Sequence, residues 1–119
     1  MPGKVLIVVN DPPYGTERAY NALRLANNLL KKDPGLELRL FLVGDAASCA
    51  KSGQILPQGY YNVEVMLKGL ARKGGIVGVC GTCMDARGLK EEDLAEGTRR
   101  STLDEWTEWT LWADKVLTF

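Results

Sequence analysis

The stretch from Gly78 to Leu89, GVCGTCMDARGL, holds the residue types best suited to covalent chemistry. Two of the three cysteines lie in it, Cys80 and Cys83, spaced Cys-x-x-Cys, with Asp85 and Arg87 just beyond. A cysteine reacts through its thiolate, so its pKa must fall for it to act near neutral pH. The chain has no histidine, which excludes a Cys–His or Ser–His pair within it. An anion at Cys80 must then be stabilised by Arg87, by backbone N–H groups of the Cys80–Gly81–Thr82 turn, or by a helix N-terminus. Gly81 keeps the backbone open to an approaching partner. Such a thiolate can take up a sulfane sulfur and hold it as a persulfide. Cys83 could resolve that persulfide, pair with Cys80, or simply pack.

Other chemistries find little support. Three cysteines without histidine cannot complete a tetrahedral thiolate zinc site, so no metal is expected. The loop after the first apolar run contains only Gly15, and Gly74-Gly75-x-x-Gly78 precedes its strand. Neither arrangement cradles a pyrophosphate, and no P-loop lysine pattern occurs, so no nucleotide cofactor is expected. Fifteen basic and fifteen acidic side chains cancel, whereas a nucleic-acid footprint needs a basic excess. Zero net charge also removes one brake on self-association.

The 119 residues suit one domain spanning 1–119, and 45% hydrophobic with 25% charged residues is ordinary globular material. The run Val5–Val9 is too short for a membrane span or a signal-peptide core. A cytoplasmic location is expected, where thiols stay reduced.

The elements that must position Cys80 follow from periodicity. Val5–Val9 reads as a strand covered on both faces, ending in the turn-rich loop Asn10-Asp-Pro-Pro-Tyr-Gly15. Thr16 is placed to cap a helix whose inward face is Ala19, Ala22, Leu23, Ala26, Leu29 and Leu30, stopped by Asp33-Pro34-Gly35. Leu36–Val43 is a second strand closed by Gly44-Asp45. Ala46–Gln58, with Cys49, suggests a short helix and a loop. Asn62 caps a helix through Arg72, although Gly69 weakens it by about 1 kcal/mol relative to alanine. Ile76–Val79 is the third strand and runs into Cys80. Lys90–Glu96 reads as a short acidic helix and Thr98–Arg100 as a short strand. Ser101 with Asp104 forms a capping pattern for a last helix carrying Leu103, Trp106, Trp109 and Ala113, and Lys115–Phe119 closes as a strand.

Alternating strands and helices predict a three-layer α/β/α sandwich with a mostly parallel, roughly five-stranded sheet. Ligands of such sheets sit beyond the carboxyl ends of the strands, where strand order reverses. Three loops emerge there and offer Asn10, Asp11, Tyr14, Asp45, Cys49, Cys80, Cys83, Asp85 and Arg87. Asn10, Asp11, Tyr14, Gly81 and Thr82 are the expected substrate-lining residues, with Cys80 as nucleophile and Arg87 as its cation. Plainer roles compete. Cys49 reads as core, because cysteine is among the most buried residue types. Asp85 and Arg87 can pair with each other, Asn10 and Asp11 can simply form a turn, and the tryptophan row suits a core or a subunit interface.

A strand running into Cys80, a short turn, and Arg87-Gly88-Leu89 before an acidic helix resembles the DsrE/DsrF-like family. The opening strand and loop, the Gly44-Asp45 strand end and the final Trp-Ala-Asp-Lys-Val-Leu extend the likeness over essentially the whole chain. The resemblance implies a domain that assembles into homo-trimers or hexamers. It also implies a sulfur carrier that accepts a persulfide on the cysteine matching Cys80 and passes it on, with a sulfur donor or acceptor protein as partner. Cys83 departs from that pattern. Three functions therefore stand: a persulfide carrier or sulfurtransferase, a Cys80/Cys83 dithiol–disulfide protein, and a non-catalytic oligomeric binding module. Against the second, thioredoxin-type motifs open a helix directly, whereas Asp85–Gly88 gives no clear helical signal.

Overall fold

The first apolar run forms β1 (Lys4–Val9). In the computed structural model, which describes residues 3–119, its side chains alternate between two separate packing layers. Val5, Ile7 and Val9 enter one layer, Leu6 and Val8 the other, and all five are buried. Burial of both faces is what an uninterrupted β-branched run signals. Four strands join it: β2 (Glu37–Leu42), β3 (Ile76–Cys80), β4 (Thr98–Ser101) and β5 (Lys115–Thr118). The order across the sheet is β4-β3-β2-β1-β5, and every neighbouring pair is parallel. The expected α/β/α architecture is present, with a wholly parallel sheet.

The helices are α1 (Arg18–Lys32), α2 (Val63–Arg72), α3 (Gly81–Ala86) and α4 (Leu103–Trp112). The first three connections step in one direction across the sheet, from β1 to β4. The last returns across the whole sheet to place β5 beside β1. Keeping a right-handed crossover while reversing direction puts α4 on the opposite face. The packing agrees. Ala19, Ala22, Leu23, Leu67, Leu70 and Met84, from α1 to α3, share one core with Ile7, Leu40 and Val79. On the other face the buried apolar cluster is smaller, made of Leu6, Val8, Phe41 and Trp109. Gly78 admits α4 to the sheet, since a Cβ there would lie 2.9 Å from Trp109 Cη2.

Local details differ from expectation in four places. The cap of α1 is displaced: Glu17 stands at the cap position, and the Thr16 hydroxyl, one residue earlier, accepts the Arg18 N–H at 3.4 Å while donating to Asp11 Oδ2 at 2.8 Å. Thr102, not Ser101, caps α4, its hydroxyl accepting the Glu105 N–H at 3.1 Å, because Ser101 still belongs to β4. The acidic segment 90–96 forms a single 3₁₀ turn, Glu91–Asp93, in which Asp93 Oδ2 accepts the Lys90 N–H at 2.8 Å. The fourth difference bears on function: Gly81–Ala86, read as a turn, is helical and begins directly after Cys80. The Asn62 cap of α2 is as expected, its side chain accepting the Val65 N–H at 3.1 Å.

Candidate active site

Cys80 is both the last residue of β3 and the N-terminal cap of α3. In register it faces Ser101, the last residue of β4. The chain leaving β3 packs as α3 on one face of the sheet, and the chain leaving β4 packs as α4 on the other. Adjacent strands whose connections diverge in this way open a crevice between their carboxyl ends. A cavity of about 430 Å³ occupies that position. Phe41, Val43, Leu103 and Trp106 form its apolar wall. Cys80, Gly81, Thr82, Cys83, Arg100, Ser101 and Thr102 form its polar side. Phe41 and Trp106 stack with ring centroids 4.9 Å apart, which stiffens the wall.

Within this cavity Cys80 is half-buried and Cys49, Cys80 and Cys83 are all free thiols. Burial acts to raise the Cys80 pKa. Hydrogen bonding from the Cys83 thiol, the Thr82 hydroxyl and the backbone N–H groups of Cys83 and Thr82 outweighs it, so Cys80 falls below the ordinary thiol value. The Thr82 hydroxyl oxygen lies 3.4 Å from Cys80 Sγ. Cys83 moves the other way: burial and the neighbouring Cys80 raise it, against the Gly44 N–H, which donates to Cys83 Sγ at 3.1 Å, and the Arg87 charge. The pair thus divides into a thiolate-prone Cys80 and a proton-holding Cys83. Cys49 lies fully buried in the main core, and burial pushes its thiol up to about 12, so it is inert packing.

The expected site residues separate. Cys80, Gly81, Thr82 and Cys83 meet in the cavity. Arg87 does not reach Cys80. Its guanidinium binds Asp45 Oδ1 through Nη2 at 2.6 Å and Nε at 3.1 Å, and donates to the Cys83 carbonyl at 3.0 Å. Asp85 pairs not with Arg87 but with Arg100, at 2.8 and 3.0 Å. The cation lining the cavity beside Cys80 is therefore Arg100, and the Cys80 thiolate contributes to holding the Arg100 pKa above its usual value, after the larger effect of Asp85.

Asn10, Asp11 and Tyr14 lie outside this cavity. The Asn10 side chain donates to the Phe119 carbonyl at 3.2 Å, and Asp11 receives Thr16. The Tyr14 hydroxyl donates to Gln54 Oε1 at 2.6 Å and accepts the Val63 N–H at 3.1 Å, bracing the segment before α2. Arg100, Ser101, Thr102 and Trp106 were not expected. Thr98–Arg100 reads as a strand, and adding its carboxyl end to the loops at the switch point would have found them. A larger groove of about 840 Å³ between α1 and α2 is lined by Arg24, Lys31, Lys73 and asparagines, with no thiol or carboxylate. It offers no thiol to carry sulfur. Among the described residues no cluster of three or more histidine, cysteine or acidic side chains is placed to hold a metal.

A wholly parallel α/β/α domain with a half-buried thiol at its switch point defines a small cysteine-bearing protein of the doubly wound class. The DsrE/DsrF-like family profile matches residues 3–119, and the chain belongs to that family. It is 45% identical over 116 residues to protein YchN of Escherichia coli K12, covering 98% of each chain. It is 40% identical over 116 residues to uncharacterized protein MJ0989 of Methanocaldococcus jannaschii, covering 98% of this chain and 99% of the relative. The crystal structure of YchN from E. coli superposes with a TM-score of 0.94 at 44% identity, covering 98% of this chain and 99% of that one. Protein MTH1491 of Methanobacterium thermoautotrophicum shares the fold, with a TM-score of 0.78 at 12% identity over the full length of both chains.

Proposed function

We propose that this protein is a cysteine-persulfide carrier or sulfurtransferase with Cys80 as the sulfur-bearing nucleophile. The observation that carries the reading is a thiol, lowered in pKa by donors from its own helical turn, at the mouth of an open cavity. The Cys80 thiolate attacks the outer sulfur of a donor persulfide, a new S–S bond forms, and the donor departs as its thiolate. An acceptor nucleophile then takes that outer sulfur and restores the Cys80 thiolate. Thr82 and the backbone N–H groups of the first turn of α3 stabilise the anion at both stages, and Arg100 contributes positive charge beside it. Family membership supports this reading, although the names of YchN and MJ0989 assign no activity.

The test is mass spectrometry of intact Cys83→Ser protein, which retains Cys80 and the buried Cys49, after treatment with glutathione persulfide. One sulfur atom should be retained, and none in a Cys80→Ser protein. Absence of the adduct, or its persistence without Cys80, sinks the reading.

A second reading, dithiol–disulfide exchange by Cys80 and Cys83, gains from α3. The first cysteine caps the helix and the second lies in its first turn, which is the helix-opening placement such motifs use. Failure to form a reversible Cys80–Cys83 disulfide in a redox buffer removes it. The same proposal includes self-assembly into a trimer or hexamer in the cytoplasm. Support comes from the family, from the thin packing of the α4 face, and from exposed Leu103 and Leu111 on that helix. Among the described residues no helix is long and apolar enough to cross a membrane.

A further inference from the structure

We infer that Cys83 discharges the Cys80 persulfide within the chain, releasing hydrogen sulfide and leaving a Cys80–Cys83 disulfide. The inference rests on the persulfide reading of Cys80. It adds a second activity to the site, the reduction of sulfane sulfur to sulfide, and a second catalytic residue.

The placement of the two thiols carries it. Both line one cavity, and both belong to the same turn of α3. Three residues along a helical turn separate Cα atoms by about 5 Å, inside the range of about 4.4–6.8 Å that a disulfide spans. Cys83 is held where it can act: the Gly44 N–H donates to its Sγ at 3.1 Å and Arg87 binds its carbonyl at 3.0 Å. These contacts come from the β2 end and from α3 itself, so the second thiol is fixed by two elements and does not wander with a loop. The Gly44 N–H also gives the sulfur a donor once its proton has left.

The step balances without an outside oxidant. Cys80 first takes one sulfur from a polysulfide, which departs one sulfur shorter. The Cys83 thiol gives up its proton, and its sulfur attacks Cys80 Sγ. A Cys80–Cys83 bond forms and the bond from Cys80 Sγ to the outer sulfur breaks. The departing sulfur carries the electron pair of that bond and takes the proton, leaving as hydrosulfide. The two cysteines are oxidised by two electrons and the sulfane sulfur is reduced by two. A dithiol reductant then returns the disulfide to two thiols by exchange.

The experiment uses the full chain, reduced, desalted and exposed to sodium tetrasulfide, then desalted again. Sulfide is captured with monobromobimane and the protein is weighed intact. The wild type should release sulfide in proportion to protein while losing two hydrogens, and dithiothreitol should restore the starting mass. Cys83→Ser should retain its added sulfur and release sulfide at least about tenfold more slowly, as expected for loss of an intramolecular nucleophile. Cys80→Ser should do neither. If wild type and Cys83→Ser both retain the sulfur equally, the discharge is overturned while the carrier reading stands. If neither takes up sulfur, the carrier reading fails and the discharge with it. A disulfide formed without sulfide release also overturns the discharge.

Discussion

The Arg100 guanidinium lies over the backbone of Gly81, so close that a Cβ on that residue would sit 2.8 Å from Arg100 Cζ and Nε. Glycine at the first position of α3 is therefore what lets an arginine from the neighbouring strand approach the cavity.

Gly81→Ala should separate reactivity from stability. Arg100 is a flexible, exposed side chain and can swing away, and alanine favours the helix over glycine by about 0.5–1 kcal/mol. The urea midpoint should hold or rise slightly. Iodoacetamide modification of Cys80 should slow, but by less than in Thr82→Val, because hydrogen bonds weigh more on Cys80 than the Arg100 charge does. Equal rates in wild type and Gly81→Ala would remove Arg100 from the site.

The two cavity thiols should titrate in opposite senses. Ultraviolet absorbance of thiolate should show one thiol ionising below the ordinary value and two above it, Cys83 and the buried Cys49, with the lower one lost in Cys80→Ser. Cys83→Ala removes a donor and should raise the Cys80 midpoint toward that ordinary value. The linkage follows from the signs. A depressed Cys80 pKa contributes stability above the unfolded thiol pKa, lost as pH falls through the folded value. A raised Cys83 pKa contributes stability below the unfolded pKa, lost as pH rises through the folded value.

Glu64 supplies a separate acid sensitivity. Only 6 % exposed, its Oε1 accepts the Gln54 N–H at 2.9 Å and its Oε2 pairs with Lys68 at 3.1 Å. Burial works to raise its pKa, but the Gln54 and Gly53 N–H groups and Lys68 bring it below the usual carboxylate value. Its contribution is present above the unfolded carboxyl pKa and lost as pH falls through the folded one. Glu64→Ala should cost about 1–3 kcal/mol in urea unfolding at neutral pH by orphaning the Gln54 N–H, and should flatten the acid limb of the stability profile.

Much of this was legible in the sequence where burial dictated residue type. Five consecutive apolar residues, mostly β-branched and bounded by a turn-rich loop, point to a strand covered on both faces, and the alternation with helices then pointed to a parallel sheet. Cys80 was legible because β3 runs straight into it. Helix α3 was not, because six residues are too few to show a period. It also opens on Gly81 and is followed by Gly88, both of which read as turn. Strand β4 carries Arg99 and Arg100, an edge pattern with no apolar signal, so the wall it adds to the cavity went uncounted. Arg87 drew attention through nearness in sequence. Its place just past the end of α3 sends it to Asp45, 42 positions away, and no local pattern announces such a pair.

Gly78→Ala probes the α4 layer directly. The added Cβ would meet Trp109 Cη2 at 2.9 Å and Ser101 Cβ at 3.1 Å. Trp109 cannot yield, since it is buried edge-on against Phe41 with Arg39 over its ring. Overpacking of this kind should cost about 1–3 kcal/mol. Tryptophan fluorescence should shift as α4 lifts, and an unchanged spectrum with unchanged stability would show the layer to be compliant.

Cys80 closes a strand and caps a helix with no residue to spare between them. The sulfur is thereby mounted on a joint between two rigid parts. Inserting a single residue after Cys80 would rotate everything beyond it by about 100° around the helix axis, turning Thr82 and Cys83 away from the sulfur at one stroke. A change of length that an exposed loop could absorb would therefore dismantle the site at that seam.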